Sequence, residues 1–508
     1  MDGYPYGGEV VDALSNIEDT QRMNSGRWPF AWWPAGLIAS AATLLLLVTA
    51  NDYGYHRDEL YFRLLGEHPQ WGYADQPPFT PMLVRFGIEM FGDTLWAVRV
   101  PSAVLLGLTA LVLAAIARET GGGTVAQALA AAGVFAVFPL SSAHITSTST
   151  PDLLVWTGVL FFVVRALLWG RPGAWIGAGI VAGLGLWNKH LILLLLLCLA
   201  VALALAGPRE VLRSRHLWLG VAAAAVIGAP NLLYQVMHGF PQAEMAAAIA
   251  ENRGGESRAA LLPLQFALPP LPPVWIAGLL VLVRDSRLRR LRALAVAYPL
   301  MLVVVLVTAG QPYYTAGLLL GLHAIGAVAV ERWLTGRRGR QILAGSTVVV
   351  TAAAAVVLSL PVIPEKDLAG SLPAEVNETI AEQIGWREYV WQIGTVWAGL
   401  SEADRDRTVL FTGNYGEAGA LDRYGPALRL PAVYSGHNAL HEFGPPPDSK
   451  RIVIAVLDTP PEALGTCTPK AILRNSPGVE NEEVGTRVHV CRMDRPWSLA
   501  WPELQHYD

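Results

Sequence analysis

Long apolar runs, joined by short polar connections, dominate the first 360 residues of the chain. The runs Leu153–Val164, Leu191–Ala206 and Leu300–Gly310 contain no Asp, Glu, Lys or Arg. A helix needs roughly 20 apolar residues to cross a hydrocarbon layer of about 30 Å. The pattern therefore predicts eleven membrane-spanning helices, of which the fifth, sixth and eighth are short. They cover approximately residues 31–50, 95–117, 125–142, 151–169, 173–188, 190–206, 216–234, 272–284, 293–308, 312–331 and 342–360.

The composition agrees with a membrane protein. Hydrophobic residues make up 53% of the chain and charged residues only 15%, which is far from the average of soluble proteins. A net charge of −4, with no basic cluster interleaved with aromatic side chains, argues against a nucleic-acid partner. The polar start lacks the basic character of a cleavable signal peptide, so the first apolar stretch is predicted to be a retained helix.

Basic residues fall in alternate connections between the predicted spans. The outer connections near 144–150 and 310–312 have none, and Lys189 is the exception to the pattern. Because Lys and Arg concentrate in short cytoplasmic loops, the polar segment 1–29 is predicted to be cytoplasmic and the long segments 51–94 and 235–271 to be outer loops. The predicted inner connections hold Arg118, Arg171, Arg209, Arg213, Arg215, Arg284, Arg287, Arg289, Arg290, Arg292, Arg332, Arg337, Arg338 and Arg340.

The chain becomes charged and rich in turn residues after residue 360. We therefore expect a transmembrane domain over 30–360 and a small soluble α/β domain, outside the cytoplasm, over 361–508. The period of the apolar residues predicts an amphipathic helix over Glu378–Leu400. Three short apolar runs predict strands. These are Thr408–Thr412, Arg451–Leu457 and Arg487–Cys491.

Two of the three cysteines, Cys467 and Cys491, lie in this tail. They can form a disulfide if the tail is extracytoplasmic, and two unpaired buried thiols are the alternative. Cys198 lies in an apolar run, where a small packing role is expected.

The first outer segment is charged and aromatic although it lies next to a bilayer. Leu60, Leu64 and Leu65 share a face at helical spacing, which predicts a helix along the membrane surface with Asp58 in its first turn. A second surface helix is predicted to begin at Pro77 and Pro78. An acidic residue in a first turn also stabilises the helix dipole without any further role.

Several motifs resemble the polyprenyl-phosphate-dependent GT-C glycosyltransferases, which include protein O-mannosyltransferases and lipid A aminoarabinose transferases. The resemblance covers nearly all of the chain after residue 51. The motif Tyr-His-Arg-Asp-Glu-Leu-Tyr at 55–61, followed by Trp-Gly-Tyr-Ala-Asp-Gln-Pro-Pro at 71–78, is fairly specific for that superfamily. Further similar stretches are 147–152, 183–190, 311–314, 413–421 and 434–438.

The resemblance implies an enzyme that moves a sugar from a polyprenyl-phosphate donor to a hydroxyl acceptor on the outer face of the membrane, with inversion at the anomeric carbon. Asp58 matches the family's aspartate that faces the acceptor. A carboxylate at that place accepts the proton of the attacking hydroxyl, so Asp58 is the expected general base and Glu59 the second choice.

The departing lipid phosphate needs fixed positive charge in a partly dehydrated site. The candidates are the basic residues of the predicted outer side. Lys189 is alternatively a lysine that extends from a helix end to the interface, and Arg85 has the alternative of a helix pair with Glu89. The candidates for contacts with the donor phosphate are Lys189, His190, Arg57, Arg63 and Arg85.

Other polar and aromatic residues are expected to contact substrate. Asp152 matches a second acidic position of the family, although it also suits a helix start, and His144 lies in the preceding outer loop. Tyr313 and Tyr314 resemble cavity residues, with an interfacial aromatic belt as the alternative. His437 contacts the acceptor if the tail domain covers the cavity.

Some features stay open at this stage. Three scattered histidines give no recognised metal motif, so no metal site is assigned, although a divalent metal remains an option. The segment 235–271 is long enough for a lid, and a tethered loop is the alternative. The sugar is a hexose or a pentose, and the acceptor a protein, glycan, lipid or metabolite. The Ala, Gly and Arg bias suggests a bacterial plasma membrane. A lipid or sugar transporter is the competing function, but no inverted repeat supports it.

Overall fold

The computed structural model describes residues 28–269 and 271–507, so most of the predicted cytoplasmic segment 1–29 lies outside the described residues. Helices follow one another through residue 359, because apolar backbone in a bilayer must satisfy its hydrogen bonds internally. Their bounds are α1 Trp32–Thr49, α2 Arg57–Glu67, α3 Phe79–Phe91, α4 Leu95–Glu119, α5 Thr124–Ala131, α6 Val137–His144, α7 Ser149–Leu168, α8 Ala174–Gly185, α9 Ile192–Ala206, α10 Arg215–Met237, α11 Pro241–Ala267, α12 Pro272–Arg284, α13 Arg292–Thr308, α14 Ala316–Leu334 and α15 Arg338–Ser359.

Each of the eleven predicted spans coincides with a helix or a helix pair. Within the described residues, 7 helices are long and apolar enough to cross a membrane, and the number rises to 9 if each of two bent pairs forms one span. The pairs are α5 with α6, bent by 55°, and α11 with α12, bent by 89°. The fifth and sixth predicted spans are indeed short, since α8 has 12 residues and α9 has 15.

The prediction of a loop over 235–271 is wrong, because most of the segment forms the helix α11. Its many Ala, Glu, Gln, Arg and Leu residues favour a helix, and Pro241 occupies the first helical position. The helix lies over the chain that leads into α14. Arg258 Nε donates to the Leu306 carbonyl at 3.2 Å, and Gln265 Nε2 donates to the Pro312 carbonyl at 3.4 Å.

The arginine-bearing connections gather at one end of the bundle. Arg118, Arg287 and Arg332 line a single cavity together with Trp28. At the opposite end of α1, the Gly54 amide donates to the carbonyl of Gln383, in the tail, at 3.2 Å. The connections that hold arginines therefore lie at one end of the bundle, and the tail lies at the other end.

The tail contains a five-stranded mixed sheet flanked by short helices. The strand order is β2-β1-β3-β5-β4, with β1 parallel to both β2 and β3 and with β5 antiparallel to its two neighbours. All residues of β1 and β3 are buried, as expected for central strands. The tail helices are α16 Leu372–Val376, α17 Glu378–Ala381, α18 Trp386–Ala398, α19 Glu402–Arg405, α20 Tyr415–Tyr424 and α21 Trp497–Ala500, and the strands are β1 Thr408–Thr412, β2 Val433–Ser435, β3 Ile452–Val456, β4 Thr466–Ile472 and β5 Arg487–Arg492.

The three predicted strands match β1, β3 and β5 to within one residue at each end. The single helix predicted over Glu378–Leu400 is wrong. One helix ends at Ala381, and the next begins at Trp386, directly after Gly385, whose φ of +97° breaks the chain direction. Cys467 on β4 and Cys491 on β5 face each other in the antiparallel register and form a disulfide.

The tail covers the helix α2, so the face that carries Leu60, Leu64 and Leu65 packs against protein. Leu60 and Leu65 are fully buried in a cluster that includes Trp386 of the tail. Contact with α20 is close: a Cβ on Gly419 would lie 2.6 Å from the backbone of Leu60, so only glycine fits there. The second predicted surface helix, α3, keeps Phe86 and other apolar side chains exposed.

Candidate active site

The two acidic side chains in the first turn of α2, Asp58 and Glu59, point in different directions. The His56 ring accepts the Asp58 amide at 3.2 Å, and the Glu59 carboxylate accepts the His56 amide at 2.9 Å. This capping box satisfies two amide groups that the helix start leaves unpaired. Glu59 therefore points into the protein, whereas 32% of the Asp58 side-chain surface is exposed.

Glu59, the second-choice base, is fully engaged in an ion pair with Arg99. Arg99 Nε and Nη2 donate to its two oxygens at 3.0 and 2.9 Å, and both side chains are buried. The Thr146 amide also donates to Glu59 at 3.0 Å. Because no oxygen remains accessible to an acceptor, the geometry gives Glu59 a structural role instead of the predicted chemical one.

Arg99 joins several parts of the chain around Glu59. Its guanidinium donates to the carbonyls of Ala50 and Gly54 at 3.0 and 2.9 Å and to Gln383 Oε1, in the tail, at 3.0 Å. His144 lies beside it, 3.2 Å from Nη1, and is buried. The expectation that His144 contacts substrate is therefore corrected: it packs behind α2.

Asp58 contacts the tail domain directly. The Tyr415 hydroxyl, at the start of α20, donates to Asp58 Oδ1 at 2.9 Å. The Tyr415 ring stacks on Tyr61 with 4.6 Å between centroids, and the Arg57 guanidinium lies 4.8 Å from the same ring. His437 supports this arrangement, because its Nδ1 accepts the Tyr415 amide at 3.1 Å. His437 thus positions Tyr415, and its expected contact with the acceptor stays a prediction.

A further carboxylate lies on the other side of Tyr61. The Tyr61 hydroxyl donates to Asp75 Oδ1 at 3.1 Å and accepts the amide of Ala439, in the tail, at 3.2 Å. Burial raises the pKa of Asp75 to about 7, with smaller opposing effects from hydrogen bonds to its own amide and Tyr61. Asp75 is therefore a carboxyl group that titrates near neutral pH.

Lys189 lies in a pocket with the other residues expected around the donor. Its Nζ is 5.3 Å from the ring centroid of Tyr313 and 5.5 Å from that of Tyr314. Asp152 and Trp156, both from α7, line the same pocket. The pocket has a volume of about 10 Å³, which is too small for a sugar.

Tyr313 connects this pocket to Asp58. Asp58, Asp152 and Arg253 all lie close enough to the Tyr313 hydroxyl to interact with it electrostatically. Arg253 belongs to α11, the helix that replaces the predicted loop. The expected base, the second acidic residue and Lys189 therefore all lie near Tyr313, although they come from three separate stretches of sequence.

Three of the other basic residues predicted to contact the donor phosphate form ion pairs with carboxylates of the protein. Arg57 forms an ion pair with Glu482 of the tail, and Arg63 forms one with Asp93. Arg85 pairs with Glu89 one helical turn away at 2.6 Å on an exposed surface, which is the simple alternative raised for it.

His190 also has a structural partner. One ring nitrogen lies 2.6 Å from Asn231 Oδ1, and the Asn231 amide donates to the Trp71 carbonyl at 2.9 Å. Lys189 alone of the five predicted basic residues lines the pocket with Asp152. Within the residues that the structure describes, no group of three His, Cys, Asp or Glu is placed to hold a metal ion.

Sequence reasoning did not assign Arg99, Tyr415 or Asp75. A lone arginine inside an apolar span indicates a buried partner, and Arg99 is such a residue in the predicted span 95–117. Asp75 stood in the quoted motif without a role. Tyr415 also lies in a stretch that resembles the family, but its role depends on a contact made over 357 residues of chain.

Residues 75–234 match the family described as dolichyl-phosphate-mannose-protein mannosyltransferase. None of the curated proteins matches the chain in sequence. Among solved structures, ArnT from Cupriavidus metallidurans bound to undecaprenyl phosphate is similar, with a TM-score of 0.58 and 18% identity over 90% of this chain and 98% of that one. The apo state of the same protein gives a TM-score of 0.58 and 16% identity, over 89% and 97% of the two chains.

The arabinofuranosyltransferase AftD from Mycobacteria is similar with a TM-score of 0.51 and 15% identity. That match covers 92% of this chain and 40% of AftD. These structural likenesses establish the fold, and the family match covers the first outer segment from Asp75 and the helices through α10 as far as Tyr234. The chain therefore shares the fold of ArnT and AftD, and its residues 75–234 are similar to the mannosyltransferase family.

Proposed function

We propose that the protein transfers a sugar from a polyprenyl-phosphate donor to a hydroxyl acceptor, with Asp58 as the general base. The observation that carries this proposal is the convergence of Asp58, Asp152 and Lys189 around Tyr313. A base and a cation near the same tyrosine suit a reaction in which an acceptor loses a proton while a phosphate leaves with negative charge.

Asp58 has the properties that the acceptor side requires. It is partly exposed, and its Oδ1 is held by the Tyr415 hydroxyl at 2.9 Å. A carboxylate fixed in this way accepts the hydroxyl proton as the oxygen attacks the anomeric carbon. Attack from the side opposite the phosphate is a single displacement, which inverts the anomeric centre.

Lys189 supplies the charge on the donor side. Its ammonium group lies over the rings of Tyr313 and Tyr314, which hold it without neutralising it. Asp152 lines the same pocket and is available to the sugar hydroxyls. ArnT, the similar structure described above, holds undecaprenyl phosphate, which supports a lipid phosphate as the donor here.

Entry of the donor requires α11 to act as a lid. The pocket beside Lys189 is too small for a sugar, and α11 brings Arg253 near Tyr313 from above. Few contacts hold this helix, among them the bonds from Arg258 and Gln265 to backbone carbonyls. Lifting α11 opens the pocket, and its return encloses the reaction and excludes water.

The proposed location is the bacterial plasma membrane, with the tail outside. The arginine-bearing connections lie at the end of the bundle opposite the tail, and such connections favour the cytoplasmic side. The site beside Asp58 then faces the extracytoplasmic space, where lipid-linked sugars are consumed in transfer to protein, glycan, lipid or metabolite acceptors.

The test uses purified protein with polyprenyl-phosphate-linked mannose or aminoarabinose and a panel of hydroxyl acceptors. We expect Asp58→Asn to lower the transfer rate about 10²- to 10⁴-fold, the range for loss of a general base. Asp52→Asn, an exposed acid of the same segment, is the matched control and should keep the wild-type rate.

Each result is informative. The anomeric configuration of the product, determined by NMR, should be opposite to that of the donor. Transfer by Asp58→Asn at the wild-type rate would remove the base assignment while leaving the enzyme. Movement of the donor across a vesicle membrane by wild type, without product from any acceptor, would replace the transferase with a transporter.

A further inference from the structure

A large cavity lies at the arginine end of the bundle, away from the candidate active site. Its volume is about 1750 Å³, beyond the roughly 300–1,000 Å³ of usual small-molecule sites. The walls are mainly apolar side chains from α1, α5, α7 and α15, among them Ile38, Leu129, Leu168 and Val348. The shape suits an amphiphile with long hydrocarbon chains, and the function proposed above does not use this space.

The cavity exists because α15 leaves the bundle at this end. Only Ala355 and Ser359 are buried in the whole helix, and both lie in its last turns. There the Ser359 hydroxyl donates to the Val137 carbonyl at 3.1 Å. The first half of α15 stands away from its neighbours, and nothing lies within 4 Å of a Cβ built on Gly345, which lines the cavity. In a bilayer, lipid must fill this cleft.

Three arginines line the polar mouth of the cleft: Arg118, Arg287 and Arg332. Arg118 donates to the Trp28 carbonyl at 3.0 Å, and Arg332 donates to Asp285 at 3.0 Å. Arg287 is exposed and makes no ion pair within 4 Å in the described part of the chain. The mouth thus offers guanidinium groups to a ligand that enters from the membrane.

The two carboxylates that line the cleft already have partners in the protein. Glu331 accepts the amides of Gly123, Val125 and Ala126, at the start of α5, at 2.7, 3.0 and 3.2 Å. Glu119 lies between Arg118 and Arg165, at 3.8 and 3.9 Å. Three arginines against two carboxylates give the described lining an excess of positive charge, which favours an anionic occupant over a zwitterionic one.

We propose that this cleft binds an anionic glycerophospholipid of the bilayer, with its phosphodiester among the arginines and its acyl chains along the inner face of α15. Basic pockets between transmembrane helices are suited to such headgroups, because phosphate accepts from guanidinium groups and the chains remain in an apolar environment. The nine residues from Gln341 to Val349 span about 12 Å of the helix, long enough to contact much of a chain.

The experiment reconstitutes the full chain in nanodiscs with equal amounts of phosphatidylglycerol and phosphatidylcholine, extracts it in mild detergent and measures the retained lipids by native mass spectrometry. Wild type should retain phosphatidylglycerol preferentially, by roughly five-fold for each arginine engaged. The double variant Arg118→Gln/Arg287→Gln should lose this preference. The control Arg213→Gln/Arg289→Gln, which changes exposed arginines outside the cavity, should keep it.

A second variant tests the position of the chains. Gly345→Trp fills the cleft without meeting another atom at its Cβ, so it should fold and retain less of both lipids. Equal retention of the two lipids by wild type, or the same loss of preference in the control, would overturn the proposal. So would unchanged phosphatidylglycerol retention in Gly345→Trp, or extraction of a dimer without lipid, which would assign the cleft to a second copy.

Discussion

The Tyr415 hydroxyl donates a 2.9 Å hydrogen bond to the Asp58 carboxylate, so the soluble tail completes the surroundings of the proposed base in the membrane domain. Glycines make this contact possible. A Cβ on Gly416 would lie 2.8 Å from the Arg57 Cβ, and one on Gly419 would meet the backbone of Leu60. The tail is therefore packed against α2 closely enough to orient the side chain that the proposed chemistry uses.

Replacement of Tyr415 by phenylalanine should slow the reaction without unfolding the protein. The ring keeps its stack on Tyr61, while Asp58 loses a hydrogen bond to a charged group, worth about 1.5–3 kcal/mol. We expect kcat to fall between about ten- and a hundred-fold, with the donor KM unchanged. Tyr434→Phe, in the same domain but away from Asp58, is the control. An unchanged kcat in Tyr415→Phe would show that the bond does not orient the base.

Asp75 should make stability depend on pH in a characteristic direction. Burial raises its folded-state pKa from 3.8 to about 7, so the folded protein binds a proton that the unfolded chain releases at lower pH. The resulting stabilisation is complete below about pH 4 and is lost as the pH rises to about 7.

The comparison with Asp75→Asn isolates this contribution, because the variant cannot titrate at that position. The difference in melting temperature between wild type and variant should become less favourable to wild type as the pH rises from 4 to 7. Thermal unfolding in detergent, followed by intrinsic fluorescence, measures it. A constant difference over this range would mean that Asp75 does not hold a proton near neutral pH.

Lys189 and His190 are neighbours in sequence with different expected roles. Lys189→Met removes the cation from the pocket beside Asp152 and should lower kcat/KM for the lipid-linked donor by about 10²- to 10³-fold, as expected for loss of a fixed charge-stabilising group. His190→Gln should stay close to wild type in kcat/KM, because His190 bonds to Asn231. Steady-state kinetics with varied donor distinguishes them, and equal losses would place both residues at the phosphate.

The membrane helices could be predicted from sequence because each is encoded locally, by an apolar run long enough to span. The helix in the polar segment 235–271 could not be predicted in this way, because it is not encoded by an apolar run. Its charged residues excluded an apolar span, and the pattern carried no information that α11 would find carbonyl partners at Leu306 and Pro312. Its good helix-forming residues then decided the outcome.

The site was predicted in part. Asp58, Asp152, Lys189 and Tyr313 were proposed from motifs, and the structure brings them together. The partner of each side chain was not readable, because ion pairs such as Arg63 with Asp93 depend on how the chain folds back. Five basic residues were therefore treated as equivalent, although only Lys189 faces the pocket with Asp152.

The Glu59–Arg99 pair should be essential for folding. Both side chains are buried, and removing one partner leaves an unpaired charge, at a cost of about 3–5 kcal/mol. We expect Arg99→Met and Glu59→Gln each to lower the melting temperature strongly. Combining the two should restore part of the loss, because no unpaired charge remains. Well-folded Glu59→Gln protein that lacks activity would instead support a chemical role for Glu59.

The disulfide provides a test of orientation that does not depend on activity. Cys467 and Cys491 are joined in the tail, whereas Cys198 is a buried free thiol. Disulfides persist outside the cytoplasm and are reduced within it. Intact cells treated with a thiol-alkylating reagent, followed by denaturation and mass spectrometry, should therefore give unmodified Cys467 and Cys491 that become reactive only after reduction. The variant Cys198→Ser removes the one other thiol of the chain and makes the count unambiguous.

Alkylation of both tail cysteines before reduction would place the tail in the cytoplasm. The site beside Asp58 would then lie there too, because the hydrogen bond between Gly54 and Gln383 joins the two.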